Sequence, residues 1–238
     1  MAAKLYAVGD IHGCFDELKE LMKLVFFDID NDQAKIIFLG DYVDRGPDSA
    51  KVVDYLDDLR EHGAKGVEFI FLKGNHEDML IQGVLNKSNR DQAEMFYYNG
   101  GTATLESYKD NNLIFEDHRE FYESLERYHR HGQFFFVHAG LAPLPTIEEA
   151  VKETFWGDDP LLWDRLYVNY NGEFPENVFV IHGHTPVPEV TFNKNQINID
   201  TGCVFGKIHS ERYGQLTAVR LDGTTEEEIK VIQVKRKL

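Results

Sequence analysis

The sequence predicts an α/β fold, because short apolar runs alternate along the chain with amphipathic stretches at helical spacing. Several of these runs end beside a glycine and a side chain that can bind a metal. The 238 residues are 42% hydrophobic, which suits a sizeable core. No Pro/Gly/Ser-rich linker interrupts them, so we expect a single domain spanning residues 1–238.

Three strand–helix units are predicted in the first third of the chain. A buried strand at 5–8 ends at Gly9-Asp10 and precedes a helix. A second strand, at 36–39, ends at Gly40-Asp41. The helix after it has Ser49 as a candidate N-cap. The third strand, at 67–72, ends at Gly74-Asn75-His76.

The rest of the chain shows a helical middle followed by strands. Residues 77–130 are richly charged and are predicted to be mostly helical. Strands at 134–137 and 178–181 end at His138 and at Gly183-His184. Residues 196–199 and 214–234 have the pattern of antiparallel strands and hairpins.

The overall charge narrows the range of partners. A formal net charge of −16 repels polyanions and disfavours nucleic-acid binding through a broad basic surface. No apolar run approaches the roughly 18–20 residues that span a bilayer, so we expect no membrane association. Two cysteines are too few for a disulfide framework, which favours a cytoplasmic location. A phosphate substrate would need a local source of positive charge, and bound cations are the usual one.

Five predicted strands each deliver a side chain able to bind a metal at their carboxyl ends. Ligands in α/β sheets bind at these ends, so we expect the side chains to converge. Their mixture of oxygen and imidazole groups suits Mn, Fe, Zn or Co better than calcium or copper. The sequence therefore predicts a metal centre built at the strand ends.

Taken together and in order, five segments resemble the signature of the phosphoprotein phosphatase family of metallophosphoesterases, over roughly residues 5–205. The resemblance implies a four-layer sandwich of two mixed β-sheets flanked by helices, the calcineurin-like metallophosphoesterase fold. The segments are Gly9-Asp10-Ile11-His12-Gly13, Gly40-Asp41-Tyr42-Val43-Asp44-Arg45-Gly46, Gly74-Asn75-His76-Glu77, His138-Ala139-Gly140 and Gly183-His184-Thr185.

The same resemblance implies which residues bind two divalent metal ions. Asp10 and His12 would bind the first metal, and Asp41 would bridge both. The second metal would be bound by Asn75, His138 and His184. Such a pair lowers the pKa of a bridging water and clamps the phosphoryl oxygens. We expect manganese, with iron, zinc, cobalt or nickel as alternatives.

Four further residues would act on the substrate. His76 resembles the general acid that protonates the leaving oxygen, with Asp44 orienting its ring. Arg45 and Arg165, the latter in Leu-Trp-Asp-Arg, resemble the guanidinium groups that grip phosphate oxygens.

For the reaction, the resemblance implies a two-metal phosphomonoester hydrolase, with a protein serine/threonine phosphatase of bacterial or phage type as the main hypothesis. The substrate would then be a phosphorylated protein or a small phosphoester. The alternatives are a dinucleoside polyphosphate (Ap4A-type) hydrolase or an RNA 5′-end phosphohydrolase. Asp44 and Glu77 favour the protein phosphatases, since the dinucleotide hydrolases commonly differ at both positions. An inactive binding module is disfavoured because no ligand or general acid is missing.

Three features leave alternatives open. Residues 207–213 are extra relative to the family pattern and are either a specificity element or a passive surface insertion. His182 is expected to support the site rather than bind metal. Asp200 either supports the site or forms an Asx-type turn.

Overall fold

The computed structural model describes residues 3–154, 159–206 and 212–237. Within these ranges ten strands form two five-stranded sheets. The strands are β1 (Lys4–Val8), β2 (Ala34–Phe38), β3 (Val67–Phe71), β4 (Tyr128–His131), β5 (Phe134–Val137), β6 (Phe179–His182), β7 (Thr191–Asn193), β8 (Gln196–Asn198), β9 (Gln215–Leu221) and β10 (Ile229–Lys235).

Helices connect the strands and cover the outer faces of both sheets. They are α1 (Phe15–Ile29), α2 (Ser49–His62), α3 (Asn75–Met79), α4 (Arg90–Tyr98), α5 (Gly101–Asp110), α6 (Arg119–Ser124), α7 (Ile147–Ala150) and α8 (Pro160–Trp163). A π-helical segment, Leu80–Leu85, continues α3, and short 3₁₀ turns lie at Phe115–His118, Pro175–Asn177, Cys203–Phe205 and Glu226–Glu228.

Both sheets are mixed. The first has the order β10-β9-β1-β2-β3, in which β1, β2 and β3 are parallel and the β9–β10 hairpin is antiparallel. The second has the order β4-β5-β6-β8-β7, with a parallel centre of β5, β6 and β8. The parallel strands of each sheet therefore end at a common edge.

Alternating side chains bury both faces of each sheet. In β1, Leu5 and Ala7 belong to the core between the two sheets, whereas Tyr6 and Val8 pack with the helices outside. In β5, Phe134 and Phe136 face the same inner core, and Phe135 packs in the outer core of the second sheet. The layers are helix, sheet, sheet and helix. This arrangement confirms the predicted fold class.

The structure corrects three details of the predicted elements. The predicted strands lie within two residues of those observed, but the end of the helical middle forms strand β4 instead. Ser49 does not cap α2; its hydroxyl lies 3.2 Å from the backbone nitrogen of Asp44. The 214–234 region resolves into a single hairpin of β9 and β10. None of the described helices is long and apolar enough to span a bilayer.

Candidate metal centre and catalytic site

Six polar side chains converge at the edge where the parallel strands of both sheets end. Each of the six residues is at most 5% exposed, so together they form a buried polar cluster. The structure thus brings together every predicted metal ligand. They are Asp10 and His12 after β1, Asp41 after β2, Asn75 after β3, His138 after β5 and His184 after β6.

One group of donor atoms surrounds the Asn75 side chain. Asn75 Oδ1 lies 3.0 Å from His138 Nε2 and 2.9 Å from His184 Nδ1. His138 Nε2 is also 3.3 Å from Asp41 Oδ1. Oxygen and nitrogen donors that approach one point at such distances could bind one cation together.

A second group of donor atoms faces the other oxygen of the Asp41 carboxylate and includes His12, whereas Asp10 contacts His184. His12 Nε2 is 3.3 Å from Asp41 Oδ2, the oxygen that does not face His138. The carboxylate of Asp10 accepts the backbone N–H of His184 at 3.1 Å and packs on Gly183, where a Cβ would lie 2.1 Å from Asp10 Oδ1. Asp41 therefore offers one oxygen to each group, which is the geometry of a bridging ligand.

Hydrogen bonds on the far side of two rings fix which nitrogen faces the cluster. His12 Nδ1 lies 2.8 Å from the carbonyl oxygen of Val43, and His138 Nδ1 lies 2.9 Å from that of Leu39. A carbonyl only accepts, so each ring must carry its proton on Nδ1. Nε2 is then the ring atom that faces the cluster, and once it carries no proton it could bind a metal.

The charges of the cluster also suit bound cations. Burial and the neighbouring Asp200 carboxylate raise the pKa of Asp10 well above its usual range. Burial opposes the charge of His138, but the Asp41 carboxylate outweighs it and raises the pKa of that imidazole to about 9, so a cation bound at Nε2 would take the place of a proton. Carboxylates packed together away from water favour a cation between them.

Strained backbone holds several of these residues. His12, Asp41 and His184 have φ angles of 45°, 53° and 66°, in the left-handed region that non-glycine residues rarely adopt. The buried Glu77 carboxylate accepts the backbone N–H of Asp41 at 2.8 Å and that of Gly74 at 3.0 Å. Glu77 therefore braces two ligand loops. Because Glu77 has this structural role, its presence does not by itself favour a protein phosphatase over a dinucleotide hydrolase.

His76 and Asp44 form a buried pair beside the cluster. His76 Nδ1 lies 2.6 Å from Asp44 Oδ2, while Nε2 is buried with no hydrogen-bond partner among the described residues and lies 3.9 Å from Asp41 Oδ2. Burial lowers the pKa of His76 to about 3 and raises that of Asp44 to about 7. Among the described residues, no hydrogen bond therefore prevents Nε2 from exchanging a proton.

The two predicted arginines act on the cluster in different ways, Arg45 through a hydrogen bond and Arg165 through its charge. Arg45 Nη1 donates to His12 Nε2 at 2.7 Å, and its guanidinium lies 5.5 Å from the centre of the Phe205 ring. Arg165 is exposed, and its charge adds to burial and His138 in lowering the pKa of His184. The carboxylate of Asp164 accepts two backbone N–H groups after Arg165 and so shapes that turn.

The sequence left open the roles of His182, Asp200 and the 207–213 segment. His182 is buried and follows Ile181, whose side chain faces the inner core. Because neighbouring residues of a strand face opposite sides, the His182 ring lies on the outer face of the second sheet. Asp200 accepts the N–H of Gly202 at 2.9 Å, as in an Asx-type turn, and its carboxylate also raises the pKa of Asp10. Residues 207–211 lie outside the described part of the chain.

Comparison with known proteins gives a match over most of the chain. The family model described as calcineurin-like phosphoesterase matches residues 3–213. A bis(5′-nucleosyl)-tetraphosphatase PrpE [asymmetrical] of Anoxybacillus flavithermus is 30% identical over 238 aligned residues, covering 90% of this chain and 88% of that protein. The Bacillus cereus protein of the same name is also 30% identical and covers 89% of this chain.

Solved structures share the fold at lower sequence identity. A putative diadenosine tetraphosphatase superposes with a TM-score of 0.62 at 22% identity, covering 98% of this chain and 93% of its own. A cold-active protein-tyrosine phosphatase of a psychrophilic Shewanella species gives a TM-score of 0.61 at 20% identity, covering 98% and 81%. These likenesses support the four-layer architecture.

Proposed function

We propose that this chain, which belongs to the calcineurin-like phosphoesterase family, uses two divalent metal ions to hydrolyse bis(5′-nucleosyl) tetraphosphates. The observation that supports the metal chemistry is the Asp41 carboxylate, which offers one oxygen to each group of donor atoms. The tetraphosphate substrate rests on the relatives that are 30% identical over nine-tenths of the chain. The comparisons thus favour what was the alternative hypothesis over a protein phosphatase.

We assign the ligands as the sequence predicted. Asp10 and His12 would hold one metal, Asn75, His138 and His184 the other, and Asp41 both. When bound, the metals supply Lewis-acid stabilisation of phosphoryl charge and lower the pKa of water. Because the ligands come from strands of both sheets, we also propose that the chain acts as one domain. Manganese and a cytoplasmic location belong to the same proposal.

The other proposed roles concern the substrate. The guanidinium groups of Arg45 and Arg165 would bind non-bridging phosphate oxygens and offset the acidic body of the protein. His76 Nε2 would donate a proton to the leaving oxygen, while the Asp44 carboxylate holds the ring through Nδ1. An anionic phosphate beside the ring would raise the pKa of His76 and favour the proton-carrying form.

Phosphomonoester hydrolysis is a second candidate, and the His76–Asp44 pair favours it. Splitting a tetraphosphate bridge releases a nucleotide phosphate, a leaving group that needs little protonation. An alkoxide leaving group, such as a serine side chain, needs a general acid far more. A buried acid held at 2.6 Å by its orienting carboxylate is therefore better matched to esters with poor leaving groups.

A substrate panel separates the two candidates. Manganese-loaded protein is given diadenosine tetraphosphate, phosphoserine/threonine peptides and phosphotyrosine peptides, and the products are resolved by anion exchange. The proposed function predicts that the tetraphosphate has the highest kcat/KM and yields AMP and ATP. Higher kcat/KM for a phosphopeptide would instead establish the phosphomonoesterase.

The 207–213 insertion gives a further prediction about substrate choice. Its flanking glycines approach each other closely, since a Cβ on Gly206 would lie 2.8 Å from the Cα of Gly214. Deleting 207–213 and joining these glycines should therefore leave the site and p-nitrophenyl phosphate hydrolysis nearly intact. Activity toward larger substrates should change, because surface loops often carry specificity while the strands hold the chemistry.

The measurement is kcat/KM for p-nitrophenyl phosphate and for diadenosine tetraphosphate in both forms. A variant with seven Gly and Ser residues in place of 207–213 controls for the length of the loop. An unchanged ratio of the two substrates after deletion would make the segment a passive insertion. Loss of both activities would mean that the segment supports the fold of the site.

A further inference from the structure

Thr104 contacts Asp44 at two places, although it lies in helix α5 and outside every motif of the site. Its Oγ1 is 2.6 Å from Asp44 Oδ1 and 2.8 Å from the backbone nitrogen of Asp44. The hydroxyl can therefore donate to the carboxylate and accept the backbone N–H at the same time. Thr104 is fully buried, so water does not compete for either bond.

These bonds hold Asp44 in an unfavourable backbone conformation. Asp44 has a φ of 71°, which costs free energy unless neighbouring groups fix it. Its N–H is held by the hydroxyls of Thr104 and Ser49, at 2.8 and 3.2 Å. Two side chains from different helices thus stabilise the turn that carries Asp44.

The carboxylate of Asp44 is held on both oxygens. Thr104 binds Oδ1, and His76 Nδ1 binds Oδ2 at 2.6 Å. With Oδ1 fixed by Thr104, the direction of Oδ2 is fixed, and so is the plane of the His76 ring. Removing the hydroxyl would let the carboxylate rotate and would leave its buried Oδ1 without this donor.

Helix α5 and the residue before it also bind the Asp44 loop and the start of helix α2. The carbonyl oxygen of Gly100, just before the helix, accepts the N–H of Arg45 at 3.2 Å. Ser107 Oγ accepts the N–H of Ala50 at 3.0 Å. Contacts both before and after Thr104 in the sequence therefore fix its position relative to the Asp44 loop.

We propose that Thr104 is a positioning residue for proton donation, acting through Asp44 to aim His76 Nε2 at the leaving oxygen. The inference rests on the proposed function, because it assumes that His76 is the general acid of a phosphate hydrolase. Since His76 is the group that Thr104 orients, the hydroxyl should matter most for substrates whose leaving groups need a proton.

The test uses Thr104→Val, which keeps the shape and removes the hydroxyl, and Thr104→Ser, which keeps the hydroxyl. Manganese-loaded proteins are assayed on phenyl phosphate, with a poor leaving group, and on p-nitrophenyl phosphate, with a good one. Valine should lower kcat on phenyl phosphate by about 10- to 100-fold, the scale for a hydrogen-bond partner one step from the reacting groups, with little change in KM. The loss on p-nitrophenyl phosphate should be smaller, and serine should restore most of the activity.

Thr102→Val, at an exposed position of the same helix, is the matched control and should leave both activities unchanged. A double-mutant cycle adds a readout that a structural role would not give. In a His76→Asn background, Thr104→Val should cause no further loss, because the group that it orients is already absent. Should the valine variant fail to fold, Thr104→Ala gives the same comparisons without a second methyl group.

Equal losses on both substrates, or an undiminished loss in the His76→Asn background, would overturn the inference and reduce Thr104 to a structural residue. So would full activity of the Thr104→Val protein. These results differ from failure of the phosphate hydrolysis that the inference assumes, in which the metal-loaded wild type would hydrolyse neither phosphate esters nor tetraphosphates.

Discussion

The Asp41→Asn protein is expected to lose one or both metal ions and nearly all hydrolytic activity, by roughly 10³-fold or more, as when one member of a cooperating set is removed. Asp41 has one carboxylate oxygen toward each donor group, at 3.3 Å from both His12 Nε2 and His138 Nε2. An amide offers one oxygen and no charge, so it cannot serve two cations equally. Loss of this residue should therefore affect both metal positions.

Asp10→Asn and His184→Ala should also lose metal and activity, each at one of the two metal positions. Metal analysis of the purified proteins measures this directly, alongside activity. Asp91→Asn, an identical charge change at an exposed position of helix α4, is the control and should keep both metals. Two-metal occupancy in all three site variants would reject the ligand assignment.

The His76→Asn protein is expected to keep both metals and to lose about 10²- to 10⁴-fold in turnover of esters with poor leaving groups, the scale of a lost general acid. The reason is that Nε2 is buried, 3.9 Å from Asp41 Oδ2 and without a hydrogen-bond partner in the described part of the chain, whereas Nδ1 is held by Asp44. The loss should shrink for p-nitrophenyl phosphate and for tetraphosphates, whose leaving groups need little protonation.

Asp44→Asn should show the same leaving-group dependence, because it removes the carboxylate that orients the ring. The measurement is kcat for phenyl phosphate, p-nitrophenyl phosphate and diadenosine tetraphosphate in each variant, with metal content determined in parallel. If p-nitrophenyl phosphate suffers as much as phenyl phosphate, His76 does not act as a general acid.

The residues that converge at the site were predictable because each follows a strand. The pattern of apolar run, glycine and ligand is local, so Asp10, Asp41 and His184 can be identified without knowing how the sheets pack. The structure adds the distances among them, which depend on two sheets meeting at one edge. The four-layer fold was likewise predictable, but only through the family resemblance carried by the motifs together.

Several groups that hold the site were missed because their contacts are distant in sequence. Thr104 lies 60 residues from Asp44, in a stretch that the sequence marks only as helical and charged. Ser49 has the composition of an N-cap, yet its hydroxyl serves the Asp44 turn. Strand β4 was predicted as helix because its pairing with β5 decides its conformation.

The substrate could not be settled from the motifs for a physical reason. Asp44 and Glu77 both have roles inside the protein, one orienting His76 and the other accepting backbone N–H groups. The role of Glu77 does not depend on what is attached to the phosphate, and that of Asp44 depends on it only through the leaving group's need for a proton. We expect substrate choice to depend instead on groups farther out, and the 207–213 insertion is a candidate for one of them.

Metal reconstitution of the wild-type protein tests the two-metal account most directly. Protein stripped with a chelator and dialysed is titrated with manganese, while bound metal and hydrolysis of p-nitrophenyl phosphate are measured on the same samples. The account predicts two manganese ions bound per chain, with activity absent at the start and complete only when both positions are filled. Full activity in the stripped protein, or activity that reaches its maximum while no manganese is bound to the chain, would contradict the two-metal account.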